Sequence, residues 1–296
     1  MDFKTELKKY QGKVNNELEK YLRKQDCPER ILNNAMEYSL MAGGKRLRPT
    51  LVLSTYKLFK ENLEVAMPYA ISIEMVHNAS LIHDDLPGID NDNLRHGKPT
   101  NHKQFNEATA ILAGDGLFNY AYIVISSDLL NTENENELKN KIKIFKEFSI
   151  ATDRMLAGEY LDTECEGKNI SNEELKYIHK NKTGAYLRLC ARMGAILGGA
   201  TESQLEKITN YAEKIGLAFQ IKDDILSEIG DEKITGKPVG NDKEKGKCTY
   251  VSEYGLEKSK EILHQITNEA ILELDEFGEK AEFLTNLARY IETRNK

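Results

Sequence analysis

The sequence lacks any apolar run long enough to cross a bilayer, which takes about 20 residues. Its most apolar stretches, residues 108–113 and 195–200, are far shorter. The N-terminal segment is charged and has no apolar core of the kind that a signal peptide needs. The C-terminal YIETRNK contains no lipidation box. We therefore expect a cytoplasmic protein without a membrane anchor.

The sequence also has few cysteines and no net positive charge. None of the cysteines form a C-x-x-C pair, and they are too widely spread for a zinc site. They are Cys27, Cys165, Cys190 and Cys248. Such thiols are typical of an intracellular protein. The net charge is −7, and a broad nucleic-acid footprint needs a basic domain. We therefore expect no nucleic-acid partner, and any anionic substrate needs local cations.

Proline is absent from residue 100 to residue 237. Because proline breaks helix interiors, such a long stretch without it favours helices. Apolar residues recur mostly at helical spacing within 105–129 and 186–197. No segment shows the sustained alternation of a strand. The sequence predicts an all-α fold, a single domain over residues 1–296 with about ten or more helices.

A first carboxylate cluster lies in the segment HDDLPGIDND at 83–92. An apolar helical segment, 71–82, leads into Asp84 and Asp85, where the helix dipole repels acids. A divalent cation removes that penalty, and the Pro-Gly turn that follows lets Asp90 share the cation. Carboxylate oxygens suit Mg²⁺ better than zinc. The segment therefore predicts a magnesium site.

A second acid pair, Asp223 and Asp224, follows the apolar segment 215–220. One such pair on a helix is usually a solvated face or a cap. Two pairs on apolar helices of one all-α chain favour two metal-binding motifs. The EF-hand and P-loop patterns fail, at Leu94 and Ser39 respectively.

Cations are concentrated near the acids. In GGKRLRP, at 43–49, two glycines allow close backbone approach to an anion and the arginines offer a bidentate fork. A solvated basic turn is the alternative. His77 precedes Asp84 by two helical turns and shares its face, although a lone histidine there could be a core residue. Further cations are Arg95, Lys98, Lys182, Lys237 and Lys247. Together these residues indicate a metal-bridged polyphosphate site.

These motifs resemble those of the trans-polyprenyl diphosphate synthases, of the bacterial farnesyl and geranylgeranyl diphosphate synthase type. The resemblance covers nearly the whole chain. Its motifs are GGKRLRP at 43–49, EMVHNASLIHDDLPGID at 74–90, GKPTNH at 97–102, ATAILAGD at 108–115, HKNKTG at 179–184 and GLAFQIKDDIL at 216–226. It implies an isoprenoid synthase fold, with long helices around a deep cavity, and a homodimer.

The resemblance also implies the substrates and the role of each site residue. Isopentenyl diphosphate and an allylic diphosphate are the expected substrates, and about three Mg²⁺ ions per site would act as Lewis acids. The metal ligands would be Asp84, Asp85 and Asp90 on one wall, and Asp223 and Asp224 on the other. The isopentenyl diphosphate ligands would be Lys45, Arg48, His77 and His96. The allylic diphosphate ligands would be Arg95, Lys182 and Lys237, and Lys247 would be a further diphosphate ligand. Thr183 and Gln220 would line the carbocation site.

Three positions depart from the pattern of that family. His96 replaces an arginine that helps to bind isopentenyl diphosphate, Glu159 replaces a glutamine, and Ser227 replaces the last acid of the second motif. These changes leave two other functions open, a terpene cyclase or a non-catalytic partner of a prenyl synthase. The small residues Ala79 and Ser80, at the expected cavity floor, predict a C15 or C20 product.

Overall fold

The computed structural model describes residues 2–21, 27–165, 167–168, 170–229 and 249–295. Within these residues the chain is almost wholly helical, and its one sheet has two strands of two residues each. The prediction of an all-α fold is therefore confirmed. Two of the predicted site residues, Lys237 and Lys247, lie outside the described residues.

The chain divides into two compact units. The first comprises Met1–Leu53 and Asn62–Ile142, and the second comprises Ser54–Glu61 and Lys143–Lys296. A single domain over the whole chain stays a prediction.

Two long helices form the centre of the first unit. Its helices are α1 (Phe3–Tyr21), α2 (Arg30–Leu40), the start of α3 (Leu47–Lys57), α4 (Met67–Asp84), α5 (Asn101–Gln104) and α6 (Glu107–Leu130), with a 3₁₀ turn at Leu63–Val65. Helices α4 and α6 pack along each other, while α1 also packs on α4 and α2 on α6. Most side chains of α4 are buried, as expected of a helix that is apolar on most faces. Pro68 occupies its first turn, where a backbone N–H has no helical partner.

A small hairpin follows the first carboxylate cluster. Strand β1 (Leu94–Arg95) pairs antiparallel with β2 (Lys98–Pro99). The two loop residues, His96 and Gly97, have φ of 52° and 77°, which is the pattern of a tight type I′ turn. The sequence showed no hairpin because strands of two residues are too short to alternate and because histidine stands where asparagine is usual.

Helix α6 is long and apolar enough to cross a membrane by length and composition. No continuous apolar run marks this helix in the sequence, because polar residues interrupt its apolar stretches. In the structure one face is buried, including Ala110, Ala113, Leu117 and Ala121. Core helices of globular proteins pass the same test, so the finding is weak support for a membrane span.

The second unit is built around one long helix, α10. Its helices are α7 (Glu135–Glu164, from Lys143 onward), α8 (Asn172–His179), α9 (Ala185–Gly198), α10 (Glu202–Ile229), α11 (Tyr250–Tyr254), α12 (Leu256–Leu272) and α13 (Glu282–Thr293). A π-helical turn, Lys180–Gly184, joins α8 to α9, and a 3₁₀ segment, Asp275–Ala281, precedes α13. Helix α10 packs against α9, α11, α12, α13 and the π-helical turn. The π-helical turn that carries Lys182 and Thr183 therefore lies against α10.

Candidate active site

The first carboxylate cluster lies where helix α4 ends. Asp84 is the last residue of α4, and Asp85 is its C-cap. The turn through Pro87 and Gly88 brings the chain back, and the backbone N–H of Asp90 donates to the carbonyl of Asp84 at 2.8 Å. Asp84 and Asp90 therefore lie side by side, as the Pro-Gly turn predicted, and both are partly exposed.

Asp85 has a different environment from its two neighbours. It is buried, and the guanidinium of Arg95 donates to both of its oxygens, from Nε at 2.9 and 2.8 Å and from Nη2 to Oδ1 at 2.6 Å. Burial raises the pKa of the Asp85 carboxyl, and the guanidinium opposes that shift. In this arrangement Asp85 orients Arg95, whereas Asp84, Asp90 and Asp92 are the carboxylates of the cluster with accessible surface.

The glycine-rich loop before α3 carries the predicted anion ligands. Gly43 and Gly44 have φ of 114° and 110°, a region open mainly to glycine. In α3, Nη1 of Arg48 lies 3.3 Å from Nε2 of His77. Burial, and then the charges of Arg48 and Arg95, hold the pKa of His77 well below its usual range. A neutral His77 can accept a hydrogen bond from Arg48, and the cationic charge comes from Lys45 and Arg48.

One face of α4 connects this histidine with the carboxylates. His77, Ser80 and Asp84 are partly exposed, whereas Ala79 has no accessible surface. The hydroxyl of Ser80 donates to the carbonyl of His77 at 2.9 Å. The helical spacing therefore predicted correctly that His77 and Asp84 share a face. Of the two expected floor residues, Ser80 lies on that face.

His96 lies against the glycine-rich loop. A Cβ added at Gly44 would be 3.6 Å from Nε2 of His96. Partial desolvation, and then the charges of Arg95 and Arg46, lower the pKa of His96. At neutral pH the imidazole is therefore mostly uncharged, because partial burial and the neighbouring cations both disfavour its protonated form.

In the second unit, Lys182 is held between two carboxylates. Its Nζ lies 2.8 Å from Oε2 of Glu159 and 2.6 Å from Oδ2 of Asp162, which are one turn apart on α7. Burial works against the ammonium, but the two carboxylates outweigh it and raise the pKa of Lys182 above its usual range. The close approach needs Gly158, because a Cβ there would lie 2.4 Å from the backbone nitrogen of Lys182.

Three other predicted site residues of the second unit, Thr183, Gln220 and Asp224, form a hydrogen-bonded chain. The hydroxyl of Thr183 donates to Oε1 of Gln220 at 3.2 Å, and Nε2 of Gln220 donates to Oδ1 of Asp224 at 3.3 Å. Asp224 is buried and also accepts from the backbone N–H of Tyr250 at 2.8 Å. Asp223 is partly exposed and pairs with Arg294. The structure thus groups Lys182 with acids, and Thr183 and Gln220 with the second acid pair.

A family model settles what these motifs belong to. The model described as polyprenyl synthetase matches residues 29–285, which is most of the chain. The chain belongs to the polyprenyl synthetase family. The protein is therefore a prenyltransferase, as the motifs predicted.

Polyprenyl synthetases with named products are similar to this chain. The farnesyl diphosphate synthase of Geobacillus stearothermophilus is 45% identical, covering 84% of both chains. The chloroplastic geranylgeranyl pyrophosphate synthase of Capsicum annuum is 43% identical over 90% of this chain and 72% of its own. The crystal structure of a FPP/GFPP synthase from Zymomonas mobilis superimposes with a TM-score of 0.87 at 34% identity, covering 98% and 99% of the two chains. The predicted isoprenoid synthase fold is confirmed.

The donor set suits Mg²⁺. Among the described residues, no group of three or more His, Cys, Asp or Glu side chains forms a ready-made metal cage. Mg²⁺ does not need one, because it keeps several waters and is usually held by one or two carboxylates together with substrate phosphates. Asp84 and Asp90, adjacent and partly exposed, fit that requirement with oxygen ligands alone. In the second unit, Asp223 would be the more accessible ligand of its pair.

The buried partners of these residues could not be predicted from the sequence patterns. Arg46, read only as one more cation of the glycine-rich loop, has a fully buried ion pair with Glu74. Arg294, near the C-terminus, pairs with Asp223 and stacks on Phe219. An acid three residues before His77 is a faint signal for the first pair, and the sequence offers none for the second.

Replacing Glu159 with glutamine is expected to lower the KM for an allylic diphosphate by about fivefold, because a partly exposed ion pair is worth up to about 1 kcal/mol. Glutamine keeps the shape of Glu159 but leaves Lys182 with one carboxylate partner, so more of its charge is available to a diphosphate. The measurement is steady-state kinetics with geranyl and farnesyl diphosphate. An unchanged or higher KM would mean that Glu159 does not compete for Lys182, and Glu164→Gln, on the exposed end of α7, is the control.

Proposed function

We propose that this prenyltransferase condenses isopentenyl diphosphate with an allylic diphosphate to give a C15 or C20 diphosphate. The allylic substrate is dimethylallyl, geranyl or farnesyl diphosphate. The observation that carries the proposal is the pairing of Arg48, three residues after Lys45 in the sequence, with His77. These residues make a second diphosphate site in addition to the acids and cations of the allylic site. A terpene cyclase, which binds one diphosphate, has no use for it.

The residues of the allylic site and those of the isopentenyl diphosphate site have different roles in the reaction. Bound Mg²⁺ would neutralise the diphosphate and make it a better leaving group. Arg95, oriented by Asp85, would add positive charge where the departing oxygen gains its electron pair. The resemblance to the family assigns Lys182 to the same diphosphate. The C–O bond of the allylic diphosphate breaks, and the double bond of isopentenyl diphosphate supplies the electron pair for the new C–C bond. A proton is then lost from the adjacent carbon, and the departing diphosphate is a suitable acceptor.

Thr183 and Gln220 are suited to the cation that forms in this step. The Thr183 hydroxyl donates a hydrogen bond to Gln220, so the hydroxyl oxygen can present its lone pairs to a positive carbon. Lys45 and Arg48 would hold the diphosphate of the second substrate, and neutral His77 would orient Arg48. His96 would contact the same diphosphate, with less charge than the arginine that it replaces.

The two alternatives are weaker on the residues present. A cyclase would more typically lack the basic loop, which is complete here, and a non-catalytic partner would more typically lack the first acid motif, which is intact. Ser227 is the main residue in their favour, since a hydroxyl replaces a carboxylate four residues after Asp223. The Mg²⁺ requirement, a cytoplasmic location and a homodimer are part of the proposal and rest on the resemblance to the family.

The deciding experiment is a product assay. The purified protein is incubated with Mg²⁺ and geranyl or farnesyl diphosphate, with and without labelled isopentenyl diphosphate, and the products are identified by mass. Label in a C15 or C20 diphosphate, lost on chelation of the metal, is the expected result. A hydrocarbon or alcohol formed without isopentenyl diphosphate would identify a cyclase. No product with any substrate would favour the non-catalytic partner.

Replacing Ala79 with tyrosine is expected to shorten the product, because Ala79 lies at the predicted floor of the cavity. Since Ala79 has no accessible surface, the larger side chain must displace its neighbours and should cost about 1–3 kcal/mol of stability. Product mass and the thermal midpoint are measured together. Ser80→Phe, on the partly exposed face of α4, should shorten the product at a smaller cost. Unchanged products from both variants would rule out this floor assignment.

A further inference from the structure

We infer that Arg46 is a positioning residue for the isopentenyl diphosphate site, and this inference rests on the proposed function. Only 4% of Arg46 is exposed. Unlike the side chains of Lys45 and Arg48, its guanidinium is therefore not a surface ligand. It sits between Lys45 and Arg48, the two proposed diphosphate ligands. The contacts described below make its role the orientation of those two side chains.

The guanidinium of Arg46 fixes the loop to three different helices. Its Nη1 donates to Oε1 of Glu74 on α4 at 2.5 Å, and its Nε donates to Oδ1 of Asn15 on α1 at 3.0 Å. Its Nη2 donates to the carbonyl of Leu40, the last residue of α2, at 2.6 Å. Arginine is the side chain that can serve three such partners at once, because its donors form a rigid planar fork.

The ion pair also sets the register between the loop and α4. Glu74 and His77 are three residues apart and lie on neighbouring turns of one face. Arg46 contacts the first and Arg48 contacts the second. Arg46 at the end of the loop and Arg48 at the start of α3 are thus matched to two positions on α4. A shift of the loop relative to α4 would break both contacts.

The backbone of the loop needs this support. Arg46 has a φ of 49°, a left-handed conformation that is uncommon for a residue with a side chain and that persists only where the surroundings impose it. The carbonyl of Lys45 also accepts from Nε2 of Gln11 on α1 at 2.8 Å. Helix α1 therefore holds the loop at two consecutive residues, and the left-handed turn at Arg46 determines the direction from which Lys45 and Arg48 project.

The test separates positioning from stability. Arg46→Met alone leaves Glu74 as an uncompensated buried charge and should destabilise the fold, whereas Arg46→Met with Glu74→Met replaces the whole buried pair by apolar side chains, a change that is often neutral. For the double variant we expect a thermal midpoint close to that of the wild type, a KM for isopentenyl diphosphate raised about tenfold or more, and a KM for the allylic diphosphate within about twofold. Arg188→Met, which removes a surface pair with Glu213 on α10, is the matched control.

A milder variant keeps the inference testable if the double variant does not fold. Asn15→Ala removes one partner of Arg46 from a partly exposed position and should raise the KM for isopentenyl diphosphate about threefold, with the allylic KM unchanged. Arg46→Lys, which keeps the charge but cannot serve all three partners, should fall between the wild type and the double variant.

The outcomes also distinguish this inference from the proposed function. Binding of isopentenyl diphosphate to each variant is measured by calorimetry beside the kinetics. A wild type that neither binds nor condenses this substrate would refute the proposed function and, with it, the inference. A wild type that does both, with an unchanged KM in Asn15→Ala and in any folded double variant, would overturn the inference alone.

Discussion

Asp84→Asn is expected to lower kcat/KM for condensation by about a thousandfold, the scale on which one electrostatic ligand of a transition state acts. Asp84 ends helix α4, and the backbone places Asp90 next to it. Asparagine keeps the size of the side chain and one carbonyl oxygen, but it removes the charge that would hold Mg²⁺. Because the lost interaction is with the metal, a higher Mg²⁺ concentration should recover part of the activity. The measurement is kcat/KM as a function of Mg²⁺.

Two controls bracket this result. Asp275→Asn changes an exposed aspartate of the second unit that has no proposed role, and it should leave the rate unchanged. Asp85→Asn should act differently from Asp84→Asn, because Asp85 is engaged by Arg95. Its main effect should be a higher KM for the allylic diphosphate, with little change in the Mg²⁺ requirement. An Asp84→Asn variant with wild-type Mg²⁺ dependence would show that Asp84 is not a metal ligand.

Much of the fold could be predicted because helix formation depends on sequence patterns that are local. The stretch without proline and the helical spacing of apolar residues predicted helices through the middle of the chain, and α6, α7, α9 and α10 occupy it. The seven-residue spacing of His77 and Asp84 predicted a shared face, which α4 provides. The hairpin at 94–99 was missed because its signal is two positive φ values in a turn, and these are not visible in the alternation of residue types.

In the candidate site, too, some features could be predicted from the sequence and others could not. Residue types at fixed spacing indicated the acids and cations, because metal and phosphate chemistry restricts which side chains can serve. Their partners were not predictable, because Asp85 with Arg95, and Lys182 with Glu159, are pairs made by the tertiary fold. Burial was equally hidden, since nothing in GGKRLRP distinguishes the buried Arg46 from Arg48. The sequence therefore identifies candidates, and the contacts separate ligands from positioning residues.

Lys182 is the residue for which these contacts change the expectation most. Its ammonium lies between Glu159 and Asp162, so replacing it removes a cation and also exposes an incoming diphosphate to two carboxylates. Lys182→Met is therefore expected to lower kcat/KM for the allylic substrate by about a hundredfold, with most of the loss in KM. This loss of kcat/KM should exceed the loss expected for a lysine that has no acidic neighbours. Steady-state kinetics with the allylic substrate varied provides the measurement.

The surrounding acids supply the means to separate these two contributions. In Lys182→Met with Glu159→Gln, one of the two carboxylate charges is also gone, so part of the lost affinity should return even though no cation has been restored. Lys180→Met, at an exposed lysine on the same π-helical turn, should have almost no effect. If the double variant is no better than Lys182→Met, repulsion by Glu159 plays no part in the loss. If Lys180→Met is as damaging as Lys182→Met, the general charge of the turn matters rather than the ammonium held between α7 carboxylates.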